Sequence, residues 1–195
     1  MGPVIPVPDL DATGRGVPGD HPEYVAEPGR TVRLLAEALG RLHGTAAPSG
    51  QDVLDRCEVA AALTRELADV TDDVRVEDPA YRHVTVALLL SALHDGADPS
   101  RDGPPVPTHG RPTLGSLRVA DGALVGLVDW DDAAVAPAAR DVSIALRSLI
   151  AAFGPGVAPA FAASYPGVMP SVEQVDWWVL AAVLGDLARP GTGPS

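Results

Sequence analysis

The chain of 195 residues contains no lysine and no asparagine, and all 14 of its basic residues are arginine. Lacking lysine, it offers no Schiff-base chemistry and no amine of the kind that steadies nucleotide phosphates in P-loop proteins and kinases. Cysteine is almost as scarce. Cys57 stands alone, which excludes an internal disulfide and a CxxC metal knuckle, and its apolar helical setting predicts an inert core thiol. Positive charge is also in short supply: 26 acidic residues give a formal net charge of −12. That balance argues against a nucleic-acid partner and against an anionic membrane surface, both of which need clustered cations. Long apolar runs are missing too. The longest, around Val86–Leu90 and Trp177–Leu184, fall well short of the roughly 18 residues that span a bilayer. The opening MGPVIPVPDLDATG carries neither a charged n-region nor an apolar h-region, so the expectation is a soluble, reducing, cytoplasmic setting.

What remains is a composition that folds: 46% hydrophobic and 21% charged residues. Residues 1–30 are dense in proline and glycine, with Tyr24 and Val25 in an extended-looking segment. From Thr31 the pattern turns helical, with Val32, Leu35, Leu39 and Leu42 in phase and Gly44 as a stop. Ser49 followed by Asp52 resembles a helix start, after which Val53, Cys57, Ala60, Thr64 and Leu67 share one face. Tyr81, Val84, Leu88 and Ala92 mark a third helix that stops near Gly96. Ala97–Pro107 reads as a proline-rich loop. The clear β signal comes next: Leu117–Val119 and Leu124–Asp129, joined across Asp121-Gly122, read as a hairpin. Helices resume over Ala138–Ala152 and Val157–Ala163, and the last opens on the capping-box pattern Ser171-Val-Glu-Gln174 before Pro190. The expected fold class is α+β, mostly helical, around one central hairpin.

One stretch stands apart: Thr108-His-Gly-Arg-Pro-Thr-Leu-Gly-Ser-Leu-Arg-Val119, the Asp121-Gly122 turn, Gly126-Leu-Val-Asp-Trp-Asp-Asp-Ala133, and Ala139-Arg-Asp141. It resembles the catalytic core of the aminoglycoside phosphotransferase family, within the protein-kinase-like fold. There the pattern runs HGDxxxxN, strand, turn, strand, (I/V)DW, and then a helix opening on an Arg-Asp pair. The helical segment Glu27–Gly44 is similar to the family's first large-lobe helix. The resemblance implies a kinase-like C-terminal lobe over residues 31–187, a hinge or small-lobe remnant over 1–30 around Val4–Gly14, and a tail over 188–195. The N-terminal small lobe would be largely missing.

The same resemblance assigns roles. Phosphoryl transfer from ATP needs a carboxylate to orient the acceptor hydroxyl, oxygen ligands for Mg²⁺, and positive charge on the phosphates. Arg111 occupies the position of the family's base, and a permanently protonated guanidinium accepts no proton. Ser116 occupies the position of the metal-binding asparagine, a degenerate cofactor position. Asp129, of the Asp-Trp pair, is kept and implies a Mg²⁺ ligand. Asp141 implies a structural bond to the catalytic-loop backbone. From the residues themselves, His109 is either an acid–base group or a strut of the loop. Asp129, Asp131 and Asp132 flank Trp130 as three carboxylates, either a cation site or a solvated turn. Alternation along an extended segment puts Asp129 and Asp131 on one side. Arg111 is expected to pair with one of these acids. Trp177 and Trp178 are either core residues or a stacking platform, and His21, His43, His83 and His94 show no ligand spacing.

The implied function is a degenerate phosphotransferase homologue, catalytically inactive or nearly so, acting as a binding or scaffold module, with ATP and Mg²⁺ bound weakly or not at all. The alternative is a working ATP-dependent phosphotransferase acting on a small hydroxylated substrate, its small lobe supplied by another chain or omitted by a misassigned start. An uncovered cleft would expose apolar surface, which points to self-association or a protein partner.

Overall fold

The computed structural model describes residues 13–70, 74 and 76–189. In chain order the elements are β1 (Val17–Pro18), α1 (Pro22–Val25), α2 (Pro28–His43), α3 (Arg56–Glu66), α4 (Val86–Asp95), β2 (Pro105–Thr108), β3 (Leu117–Ala120), β4 (Ala123–Leu127), β5 (Ala134–Pro137), α5 (Ala139–Phe153), α6 (Ala158–Ser164) and α7 (Val172–Ala188). The segment Val4–Ala12, read from the sequence as the end of a small lobe, lies outside the described residues. So do residues 190–195 of the expected tail.

The fold is mixed α+β with the hairpin at its centre. β3 and β4 pair antiparallel, with Leu117 opposite Leu127, and β1 adds to the other edge of β3. Asp121 and Gly122 have φ of 50° and 72°, the pair of positive values that a type I′ turn demands and that Asp-Gly tolerates. Leu117, Val119 and Leu127 point into a core formed with Val32, Leu35 and Leu39 of α2, Val142 and Leu149 of α5, and Phe161 of α6. A second core joins α3, α4 and α7 through Ala60, Leu63, Leu89, Leu93, Trp178 and Leu184. Helix starts follow capping chemistry. Asp55 and Thr85 accept backbone N–H bonds at the head of α3 and α4, and Ser171 with Gln174 completes both halves of a capping box.

Four local expectations are corrected. The second helix begins at Arg56 behind the Asp55 cap, so Arg56, Ala60 and Leu63 face inward. Cys57 is therefore exposed and not a core thiol, its Sγ–H donating to the Ala97 carbonyl at 2.8 Å. The third helix begins at Val86, leaving Tyr81 and Val84 in the turn ahead of it. Its inward face is Val86, Leu89 and Leu93, while Leu88 is 62% exposed. Tyr24 and Val25 lie in the helical turn α1, and the strand of that region is β1. The end of the supposed loop forms β2, paired with β5 from Pro105 opposite Pro137 to Thr108 opposite Ala134. Pro105 and Pro107 have no N–H, so they hide a strand signal while remaining compatible with a two-stranded ribbon.

A buried ion pair ties α3 to the loop after α4. Arg56, 1% exposed, donates from Nε and Nη2 to the two carboxylate oxygens of Asp102 at 2.9 and 2.8 Å. Its Nη1 donates to the Gly96 carbonyl at 3.1 Å, and the guanidinium lies 4.8 Å from the Trp177 ring centroid. Removing one partner strands a buried charge. Asp102→Ala is therefore expected to lower the urea-unfolding free energy by about 3–5 kcal/mol. The double variant Arg56→Met/Asp102→Leu is expected to recover most of that loss, because apolar side chains of similar size need no counter-charge.

Candidate functional site

The site is built on the first turn of α5. Asp141 is completely buried, and its carboxylate accepts from the backbone N–H of His109 at 2.7 Å and of Gly110 at 2.8 Å. A third donor, His43 Nε2, stands 3.1 Å away. Burial by itself raises a carboxyl pKa. The hydrogen bond from His43 and the positive surroundings of His43, His109 and Arg140 outweigh it and hold Asp141 below the ordinary value. Asp141 thus clamps the loop in the role expected of it. Gly110 makes the clamp possible: its φ is +91°, and a Cβ there would sit 2.3 Å from the Asp132 carbonyl oxygen. Arg140, the neighbouring residue, holds the opposite wall by donating to Thr108 Oγ1 at 3.0 Å and to the Asp132 carbonyl at 2.9 Å.

His109 is the strut of the two alternatives. Its Nε2 faces the Val128 carbonyl at 2.7 Å and so must donate, while Nδ1 accepts from the Arg111 N–H at 3.3 Å. With both nitrogens engaged, no lone pair is left to take a substrate proton. Burial pushes its pKa below the usual imidazole value against the pull of Asp141.

The remaining positions fall differently from expectation. Arg111 does not pair with Asp129, Asp131 or Asp132. Its Nη2 lies 3.7 Å from Asp186 of α7. Asp132 is taken by Arg189 at 3.1 Å. Ser116 is 2% exposed and its hydroxyl is spent inside its own turn, donating to the Thr113 carbonyl at 2.9 Å and accepting from the Thr113 N–H at 3.0 Å. Asp129 is exposed, with φ of 66°, and Asp131 and Asp132 form a turn, so strand alternation does not apply to them. Among the described residues no three His, Cys, Asp or Glu side chains form a group that could hold a metal ion. Of the two positions that the resemblance assigns to Mg²⁺, Asp129 is an exposed carboxylate, whereas the Ser116 hydroxyl is already bonded within its own turn.

Beyond the loop opens a pocket of about 980 Å³ between α3, α5 and α7, bordered by Gly110, Arg111 and Thr113. Trp178 lines it from below, while Trp177 donates its Nε1–H to Leu93, which places both tryptophans in the core. Arg147 of α5 bridges Asp186 at 3.2 Å and Asp78 at 3.4 Å, sharing Asp186 with Arg111. Sequence reasoning missed His43, which also bonds Tyr165 through Nδ1 at 2.7 Å. The signal was present: position 43 continues the buried i, i+4 row of Leu35 and Leu39. Arg147 and Asp186 carried no comparable signal, because pairs formed across two helices have no fixed spacing.

A family model described as the phosphotransferase enzyme family matches residues 11–177. The chain belongs to this family. Solved phosphotransferases share its fold. The aminoglycoside phosphotransferase APH(3'')-Id of Streptomyces rimosus, solved with ADP and streptomycin, superposes with a TM-score of 0.67 at 18% identity, covering 88% of this chain and 68% of that one. A type VIII aminoglycoside-3'-phosphotransferase gives 0.64 at 19% identity over 92% and 66% of the two chains. A choline/ethanolamine kinase family protein of Mesorhizobium loti gives 0.60 at 16% identity, with 86% and 53% covered. At these identities the likeness carries the fold alone, and the phosphotransferase-like chain spans about two thirds or less of each of the three. No curated protein sequence matches it. Among the described residues no helix is long and apolar enough to cross a membrane.

The environment of His109 has a measurable consequence. An unfolded imidazole takes its proton near 6.5, whereas the buried ring takes it at lower pH, so the unfolded state binds more protons in between. Unfolding free energy, followed by urea titration, is expected to be fully present above that value and to fall as pH drops below it toward 5. The fall is expected to be smaller in His109→Gln.

Proposed function

We propose that this phosphotransferase-family chain binds a small molecule in the α3–α5–α7 pocket and does not by itself transfer phosphate to it. The observation that carries this reading is Arg111, a guanidinium in the position of the family's base, held toward Asp186. A group that is always protonated accepts no proton from an acceptor hydroxyl. Two further features support it. Ser116 has its hydroxyl committed within the 113–116 turn, and the chain carries no lysine to steady a triphosphate. Meanwhile the Asp141 clamp, the His109 strut and the hairpin keep the loop and pocket in shape.

The intact clamp also favours a second reading, an ATP-dependent small-molecule phosphotransferase with a small lobe supplied in trans. In that case Asp131 or Asp132 must replace the base, and Asp132 would have to leave Arg189.

Purified chain supplied with Mg²⁺-ATP and a panel of hydroxylated acceptors is expected to release no ADP above background. Turnover by the chain alone at an ordinary enzymatic pace, about 1 s⁻¹ or faster, overturns the reading. Arg111→Asp with Ser116→Asn is expected to create a saturable Mg²⁺ heat in calorimetry that the parent lacks. No gain in that titration counts against the positional assignment of residues 111 and 116.

A further inference from the structure

We propose that the pocket between α3, α5 and α7 takes an organic anion with an apolar body, its negative head received by Arg111 in place of Asp186. This deepens the binding-module reading above and rests on it. The head end of the pocket is short of acceptors. Among the described residues Arg111 makes one ionic contact, 3.7 Å to Asp186, which is beyond hydrogen-bond distance, and its side chain is 39% exposed. Asp186 is already shared. Its other oxygen takes Arg147 Nη1 at 3.2 Å, so one carboxylate faces two guanidiniums. A guanidinium presents five N–H donors in a planar fork that matches a carboxylate or a phosphate with two parallel bonds. The donors of Arg111 toward the pocket are therefore unspent.

Asp186 is a weak competitor for that place. It is 46% exposed, and an ion pair so open to water is easily given up. The body of the pocket is apolar: Val59 and Leu63 of α3, Ile144 and Ile150 of α5, and Val175 and Val179 of α7 line it. The other acids on its lining do not invite a cation to the head. Asp78 is engaged by Arg147 and Asp132 by Arg189, while Glu66 and Asp176 are exposed and solvated. Arg140 is committed to Thr108 and the Asp132 carbonyl. Arg111, a cation with donors unspent at one end of an apolar trough, is complementary to a carboxylate or phosphomonoester on a hydrocarbon or aromatic frame.

The test uses four probes with one eight-carbon chain: octanoate, octyl phosphate, octanol and octylammonium. Binding is followed by tryptophan fluorescence, since Trp178 lines the pocket, and by calorimetry. Octanoate or octyl phosphate is expected to bind saturably and at least about tenfold more tightly than octanol. The comparison of the two anions separates a carboxylate site from a phosphate site. Arg111→Gln is expected to bring the anions down to the affinity of octanol while leaving octanol unchanged. Asp186→Asn is expected to tighten the anions by removing their competitor, and it serves by itself if the first variant does not fold. Tighter binding of octylammonium than of either anion, no saturable binding of any probe, or no effect of Asp186→Asn overturns the proposal. ADP release from Mg²⁺-ATP is measured separately without the probes. Failed anion binding with no turnover leaves the binding-module reading standing, whereas turnover sinks that reading whatever the probes do.

Discussion

The carboxylate of Asp141 organises this molecule. It is the one fully buried acid on the N-terminal turn of α5, and three donors from two other parts of the chain converge on it. A buried negative charge is tolerable only if its lone pairs are filled. The loop at 109–110 and the end of α2 must therefore be where they are, or the helix start becomes costly. The hairpin lies against the same loop through His109, and the turn at 132 lies against it through Gly110 and Arg140. The shape of the site thus follows from satisfying one ion.

The side chains of Arg111 and Ser116 take no part in this clamp. By the resemblance they stand at the positions of the family's base and of its metal-binding amide, and here the guanidinium lies 3.7 Å from Asp186 while the hydroxyl is bonded within its own turn. The hydroxyl is internally satisfied, the guanidinium keeps donors unspent, and neither disturbs the clamp. The clamp does not depend on either side chain, because Asp141 is met by the backbone N–H groups of residues 109 and 110 and by His43. A binding role needs the clamp and the apolar trough. A transfer role needs those two positions as well.

Much of this was legible in advance, and the failures have physical causes. The hairpin was readable because Asp-Gly is one of few pairs that accept positive φ at two successive positions. The last helix was readable because a capping box is a reciprocal bond written four residues long. The α3 and α4 faces slipped because Ala, Leu and Val occur nearly all the way round those segments, so the true phase is set by the caps at Asp55 and Thr85. A buried arginine also violates the pattern on which such phasing rests, and Arg56 is inward only because Asp102 meets it there. The β2–β5 ribbon was hidden by its prolines. Of the candidate site, the bond of Asp141 to the loop backbone at 109 and 110 could be placed from the motif. The partners of Arg111 could not, because Asp186 lies on a different helix and joins it only through the packing of α7 on α5.

The hydrogen-bonded series from Tyr165 through His43 to Asp141 has a direction. The carboxylate can only accept, so Nε2 of His43 carries a proton toward it. In the neutral ring Nδ1 is then left to accept, and the phenol must donate. Burial, together with the charge of Asp141, pushes that phenol up to about 12, so its hydroxyl hydrogen stays in place across the whole neutral range. A polarised wire of fixed orientation therefore runs from the end of α6 to the peptide groups beside residue 110. Helix α6, short and without a side-chain cap of its own, is tethered by that wire to the most constrained point of the molecule.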